Sequence, residues 1–205
     1  RSPEELSGEE RVSSVHAAAL RLADRIAETT VGLEPPEIEA FDLTPKPDLP
    51  NIAFAPHLAS SEWELGPRSP VGTAVYGMTR LNFPWILDPT EVLDGAITGG
   101  PMTWMMVNNP VVLSAARAHG REVNFKACAV QRTNWTNENE KRLMASRLAH
   151  ELQMMNIQGV IITTNVRGQR YVETILSVEA CEKAGVKVVL LTEEEDNENG
   201  TAPPL

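Results

Sequence analysis

Apolar and polar residues recur along this chain with two periods, and the periods predict its elements. Val12, Val15, Ala19, Leu22 and Ile26 follow at helical spacing behind Ser7-Gly-Glu-Glu10, which has the S-x-x-E form of a capping box. A helix is expected from there to about Thr30, where Glu34-Pro-Pro36 stops it. The short run Ile38 to Leu43 and a proline-rich stretch, Pro45 to Pro50, lead into a buried strand over Asn51 to Ala55. Ser60 to Arg80 has weak periodicity with several Gly and Pro, and reads as loop. Phe83 to Leu87 reads as a strand, Pro89-Thr90-Glu91 begins a helical turn, and Ala96 to Thr98 runs straight into Gly99-Gly100. Asn109-Pro110 opens a helix, with Asn as N-cap and Pro in the first helical position, that ends at His119-Gly120.

The second half is more regular. Val123 to Val130 is a predicted strand, and Asn137 to Asn156 a helix with Leu143, Ala145, Leu148, Leu152 and Met155 on or near one face. The strand Gly159 to Thr163, the helix Tyr171 to Ala184 closed by Gly185, and the strand Val186 to Leu191 complete the pattern. Strands that are apolar throughout, alternating with helices, mark a sheet buried on both faces. The expected class is α/β: three layers, a mainly parallel sheet covered by helices on both faces. Residues 1–50 are expected to form an N-terminal helix and proline-rich connection packed on an α/β domain of residues 51–205. A chain that opens on Arg1 and closes just after Ala-Pro-Pro reads as a fragment of a longer polypeptide.

Charge and composition narrow the partners. The chain has 205 residues and a formal net charge of -10, concentrated in Glu4, Glu5, Glu9, Glu10 and the run Glu193 to Glu198. That balance argues against a nucleic-acid or anionic-membrane surface. No apolar run approaches the roughly 20 residues of a membrane span. Cys128 and Cys181 lie in regular elements without metal-ligand spacing, so neither a disulfide framework nor a metal is expected, and a cytoplasmic location is. His119 ends a helix, where a cation would suit the dipole, and His150 should be exposed in mid-helix; His16 and His57 stand in no motif.

In parallel sheets, ligands bind beyond the carboxyl ends of the strands. Three loops qualify: Thr98 to Asn109, Gln131 to Asn137, and Thr163 to Gln169. The first pairs Gly99 and Gly100, which let backbone amides approach a ligand, with the polar Thr103, Asn108 and Asn109 and the apolar Trp104, Met105 and Met106. The second offers Arg132 and Asn134, and the third Asn165 and Arg167. The substrate-binding candidates are therefore Gly99, Gly100, Thr103, Trp104, Asn108, Asn109, Asn134 and Asn165; no catalytic residue can be named.

Five segments carry a resemblance. Pro89-Thr-Glu-Val-Leu-Asp-Gly-Ala-Ile97, Asn108-Asn-Pro-Val-Val112, His119-Gly-Arg-Glu-Val-Asn-Phe125, Gly159-Val-Ile-Ile162 and Cys181-Glu-Lys-Ala-Gly-Val-Lys-Val-Val189 occur in order. They resemble the component B proprotein-type subunit of the glycine/sarcosine/betaine and D-proline reductase family. The resemblance implies an oxidoreductase complex in which a pyruvoyl group, made from a cysteine by self-cleavage, activates an amino substrate. It also implies a second reductase subunit with a reactive Cys or selenocysteine, and the remaining N-terminal part of the proprotein, as partners. The family's cysteine falls between the Asp-Gly-Ala-Ile and Asn-Asn-Pro segments, whereas Thr98 to Val107 contains none, and Thr-Thr-Asn-Val-Arg-Gly-Gln-Arg follows Ile162 in place of the family's Gly-Phe-Gly-Asn-Pro-Asp-Thr-Asp. No cofactor is therefore expected within this chain. Two other readings stand beside a pyruvoyl-free reductase subunit: a pyruvoyl reductase whose cysteine lies outside this chain, and a non-enzymatic scaffold or small-molecule binding module.

Overall fold

The structure is a computed structural model that describes residues 8–58, 84–93, 109–133, 137–164 and 169–192. The chain divides into two compact units, Arg1–Ala40 and Phe41–Leu205. The first contains helix α1 (Gly8–Glu28), whose Val15, Leu22 and Ile26 are each more than half exposed.

The second unit is built on one five-stranded sheet. Along the chain come β1 (Asn51–Leu58), β2 (Trp85–Leu87), α2 (Pro89–Leu93), α3 (Pro110–Ala118), β3 (Asn124–Arg132), α4 (Glu138–Met154), β4 (Gly159–Thr164), α5 (Gln169–Lys183) and β5 (Lys187–Thr192). The strand order is β2-β3-β1-β4-β5; β2 pairs antiparallel with β3, and every other pairing is parallel. The chain passes from β3 over the central β1 to β4, so the direction of winding reverses beside β1.

Alternation along the strands sorts the core into two layers. Phe54, Phe125, Cys128 and Val130 pack with Val92 of α2 and Val112, Ala115 and Ala116 of α3. On the other face Ala53, Ala55, Ala127 and Ala129 join Val160 and Ile162 beneath Leu148 and Leu152 of α4 and Cys181 of α5. The four alanines leave room for two helices to lie close to the sheet. Because Ile52 pairs with Phe125 but Ala53 with Ala127, Lys126 is an extra residue. The bulge changes the phase, so that Phe125 and Cys128 reach the same face although three positions apart. The three-layer α/β architecture is as predicted.

Four local expectations are corrected. The first strand continues through Pro56 to Leu58, past its expected end at Ala55: Pro56 lacks an N–H, but pairing to Thr163 and the bonds on either side carry the strand on. Leu143 is about half exposed, and the buried stripe of α4 is Met144, Ala145, Leu148, Ala149 and Leu152. β5 is apolar but lies at a sheet edge, where Val189 and Leu191 remain exposed. His119 is not a solvated helix-end cation. It is buried; the Phe125 N–H donates to its Nδ1 at 2.9 Å, so its Nε2 donates to the Thr44 carbonyl at 3.0 Å.

His119 belongs to a polar lock at the amino-terminal end of the sheet. Asn124 accepts from the Lys46 N–H at 2.8 Å and donates to the carbonyls of Lys46 and Leu49 and to Asn51 Oδ1. These bonds hold the proline-rich segment against the strand ends. Phe41 and Leu43 of the same approach pack on the core.

Candidate functional site

The opposite end of the sheet carries a row of buried polar side chains. Register places Gln131 of β3, His57 of β1 and Thr164 of β4 side by side. Two residues earlier the same row reads Ala129, Ala55 and Ile162, all in the core beneath α4 and α5. Side chains two apart along a strand share a face, so the polar row caps that apolar layer at its carboxyl end. His57 is 1 % exposed and Gln131 3 %. Thr133, just past β3, is buried as well.

The two covering helices complete the row. The first turns of α5 turn Glu173, Thr174 and Ser177 inward, all buried. His57 Nδ1 lies 3.1 Å from Thr174 Oγ1, and Thr174 donates to Thr164 Oγ1 at 3.3 Å. Lys141 of α4, whose side chain is 14 % exposed, sets its ammonium 3.4 Å from the Glu173 carboxylate. Burial pushes the His57 pKa down to about 3, so the ring is neutral at ordinary pH. With Thr174 directing its one hydroxyl hydrogen to Thr164, the tautomer that fits this chain carries its proton on Nδ1 and leaves Nε2 an acceptor. Among the described residues, neither His57 Nε2 nor Gln131 Oε1 has a hydrogen-bond partner.

The two ends of the sheet thus differ in kind. At the amino-terminal end both His119 ring nitrogens are satisfied and Asn124 makes four bonds. At the carboxyl end His57 Nε2 and Gln131 Oε1 are buried and unmet, and Glu173, though paired with Lys141, has a carboxylate oxygen, Oε2, that accepts no hydrogen bond; a buried unmet group costs about 1 to 3 kcal/mol. The first end serves the fold; the second has capacity left for a ligand.

The cysteines supply no nucleophile. Both thiols are free, and Cys128 is fully buried in β3 between core residues, where burial and then Asp88 push its pKa up. Burial, and secondarily Glu182, pushes Cys181 up to about 12. Among the described residues no group of three or more His, Cys, Asp or Glu could hold a metal ion, and no helix is long and apolar enough to cross a membrane. A cavity of about 500 Å³ runs between α4 and α5 past Arg142, His150 and Lys183. Another of about 420 Å³ follows α3 past Val111, Ser114 and Ile161. Neither is lined by the polar row.

Of the residues predicted from sequence, Asn109 is described. It caps α3, its Oδ1 accepting from Val111 N–H at 2.8 Å and Val112 N–H at 3.4 Å, and it is buried. Gly99, Gly100, Thr103, Trp104, Asn108, Asn134, Asn165 and Arg167 lie outside the described residues. The loops chosen after β3 and β4 do begin in the row, through Gln131, Thr133 and Thr164. His57, Lys141, Glu173 and Thr174 were missed. His57 was hidden by ending the first strand at Ala55. A signal for α5 was present: Thr174, Ser177, Val178 and Cys181 share a helical stripe that changes from polar to apolar toward its end.

The fold is a three-layer α/β sheet with reversed winding and a polar row at its strand carboxyl ends, the end at which open sheets of this class take ligands. The chain belongs to the glycine/sarcosine/betaine reductase component B subunits, a family that matches residues 1–205. It is 27% identical over 208 residues to the sarcosine reductase complex component B subunit alpha of Peptoclostridium acidaminophilum, covering 92% of this chain and 46% of that protein. It is 28% identical to the glycine reductase complex component B subunits alpha and beta of Acetoanaerobium sticklandii, over 93% of this chain and 47% of that one. The betaine reductase complex component B subunit alpha of P. acidaminophilum is 30% identical over 92% of this chain and 45% of its own length. The chain therefore spans about half the length of the curated relatives it matches. No solved structure matches it.

Proposed function

We propose that this chain is a subunit of a multi-subunit reductase of the component B type, taking part in reductive cleavage of a small amino-acid-like substrate. A second subunit supplies the attacking thiol or selenol, and the complex works in the cytoplasm. The observation that carries the reading is family membership across residues 1–205. Further support comes from the polar row at the strand carboxyl ends, the place where a sheet of this class takes a ligand.

We further propose that this chain forms no pyruvoyl group. Such a group would need a cysteine or serine able to become a new N-terminus in the interval where the family carries it. Thr98 to Val107 contains neither, and both cysteines of the chain are buried in regular elements. The residues of this chain therefore do not fit the group that the family resemblance implies, and its part is to bind and orient substrate for a partner's chemistry. His57, Gln131, Thr164 and Thr174 are the groups proposed to touch the ligand from below. Gly99, Gly100, Thr103, Trp104, Asn108, Asn109, Asn134 and Asn165 are proposed to approach it from the loops.

The test is to purify the chain from its host with whatever accompanies it and to measure thiol-dependent release of amine from small amino acids and their N-methyl derivatives. Turnover that depends on a co-purifying subunit with reactive Cys or selenocysteine is expected. A chain that purifies alone, and that neither turns over nor restores turnover to a reductase lacking it, would leave the binding-module reading. That second reading is favoured by the burial of both thiols of the chain, which raises their pKa.

A further inference from the structure

The unmet polar atoms of the row define the chemistry of what would satisfy them. Two of them, on His57 and Gln131, are acceptors on neutral side chains; the third, Glu173 Oε2, belongs to the carboxylate beside Lys141. Gln131 Oε1 is an amide oxygen, and His57 Nε2 is left without a proton by the relay from Nδ1 through Thr174 to Thr164. They belong to neighbouring registered residues on one face, so their backbones are about 4.8 Å apart and their side chains stand side by side. One small group with two hydrogens would satisfy both. Lys141 and Glu173 of the covering helices lie 3.4 Å from one another, one positive and one negative charge. The two neutral acceptors require donated hydrogens.

We infer that His57 and Gln131 form an acceptor pair that binds an N–H-bearing group of a small molecule, a primary ammonium or a carboxamide, and discriminates against fully alkylated nitrogen. This deepens the proposed function, since it rests on the carboxyl end of the sheet being the ligand end. The discrimination follows from hydrogen bonding. A quaternary nitrogen presents only C–H groups, so binding it would keep both acceptors buried and unmet, whereas an N–H group satisfies them. The neutral ring is essential: a protonated Nε2 would become a donor and reject the same group. Burial, which holds the His57 pKa near 3, keeps it in the accepting form.

The experiment uses the full 205-residue chain with its histidines labelled with nitrogen-15, and reads the His57 Nε2 shift by long-range proton–nitrogen correlation. His57→Leu identifies the signal. The probes are methylammonium, acetamide and tetramethylammonium. Saturable movement of the Nε2 signal with the first two, and none with the third, is expected. Gln131→Leu should weaken acetamide and methylammonium binding by about tenfold while the Nδ1-protonated form of the ring persists. Equal response to tetramethylammonium would overturn the inference by showing a site for charge. No response to any probe would overturn it too, leaving the row as a structural device bridged by water. Either result can be told from failure of the reductase reading, because turnover with a partner subunit is measured separately and needs no response from His57.

Discussion

At the scale of single residues, His57 is the side chain whose behaviour the fold changes most. Unfolded, its ring takes a proton below about pH 6.5; folded, burial delays that to about pH 3. Between those values the unfolded state binds more protons, so stability must rise with pH through the window and be lost as pH falls. The slope should approach 1.4 kcal/mol per pH unit, roughly one proton's worth. Denaturant unfolding of the chain at pH 7, 6 and 5 should show it, and His57→Leu should flatten it; an unchanged slope in that variant would place the titration elsewhere. Lys141 and Glu173 give a second residue-scale expectation. Lys141→Met takes a cation from beside a carboxylate that is 5 % exposed, and should cost roughly 3 kcal/mol, most of it recovered by adding Glu173→Gln. Equal stability of the single and double variants, read from their unfolding midpoints, would refute the coupling. Neither pair was legible in the sequence. A histidine after a proline, or a lysine 32 residues from its glutamate, has no local pattern to reveal it.

At the scale of elements, the helices were legible because their caps and stripes are local. Asn109 caps α3 with Pro110 in the first turn, as the Asn-Pro pair predicted, and Asn109→Ala should cost about 1 kcal/mol. The stripe of α4 was drawn one position too wide. Leu148 is fully buried and Leu143 about half exposed, so Leu148→Ala should cost about 2 to 5 kcal/mol and Leu143→Ala less than about 1. Comparable losses in thermal unfolding would mean that α4 is rotated on the sheet. The strands were found but their surroundings were not. β5 has the apolar run of a central strand, yet it sits at the edge with Val189 and Leu191 exposed. An apolar run states that a strand can be buried, and neighbours decide whether it is. β1 was cut short at Pro56, since a missing N–H is a local fact and the flanking strands that tolerate it are not.

At the scale of the whole molecule, the proposal that this chain makes no pyruvoyl group predicts one intact polypeptide mass, with no break between Thr98 and Val107. A carbonyl reagent should label no new N-terminus; a labelled cleavage product from that interval would sink the proposal. The class of fold, the order of its elements and the family were all present in the sequence by itself. They rest on alternating apolar strands and amphipathic helices, on caps, and on five motifs in order. Hydrophobic periodicity and capping act over a few residues, so a linear reading can see them. What only the tertiary structure decided is the polar row at the carboxyl end of the sheet. Crossing over β1 brings residues 57, 131 and 164 into one row, and two helices lay Lys141, Glu173 and Thr174 over it. The burial that neutralises His57, and the relay that leaves its Nε2 bare, exist only once those separate segments share a low-dielectric interior. Desolvation and strand register are properties of the packed sheet, which is why no stretch of the sequence contains them.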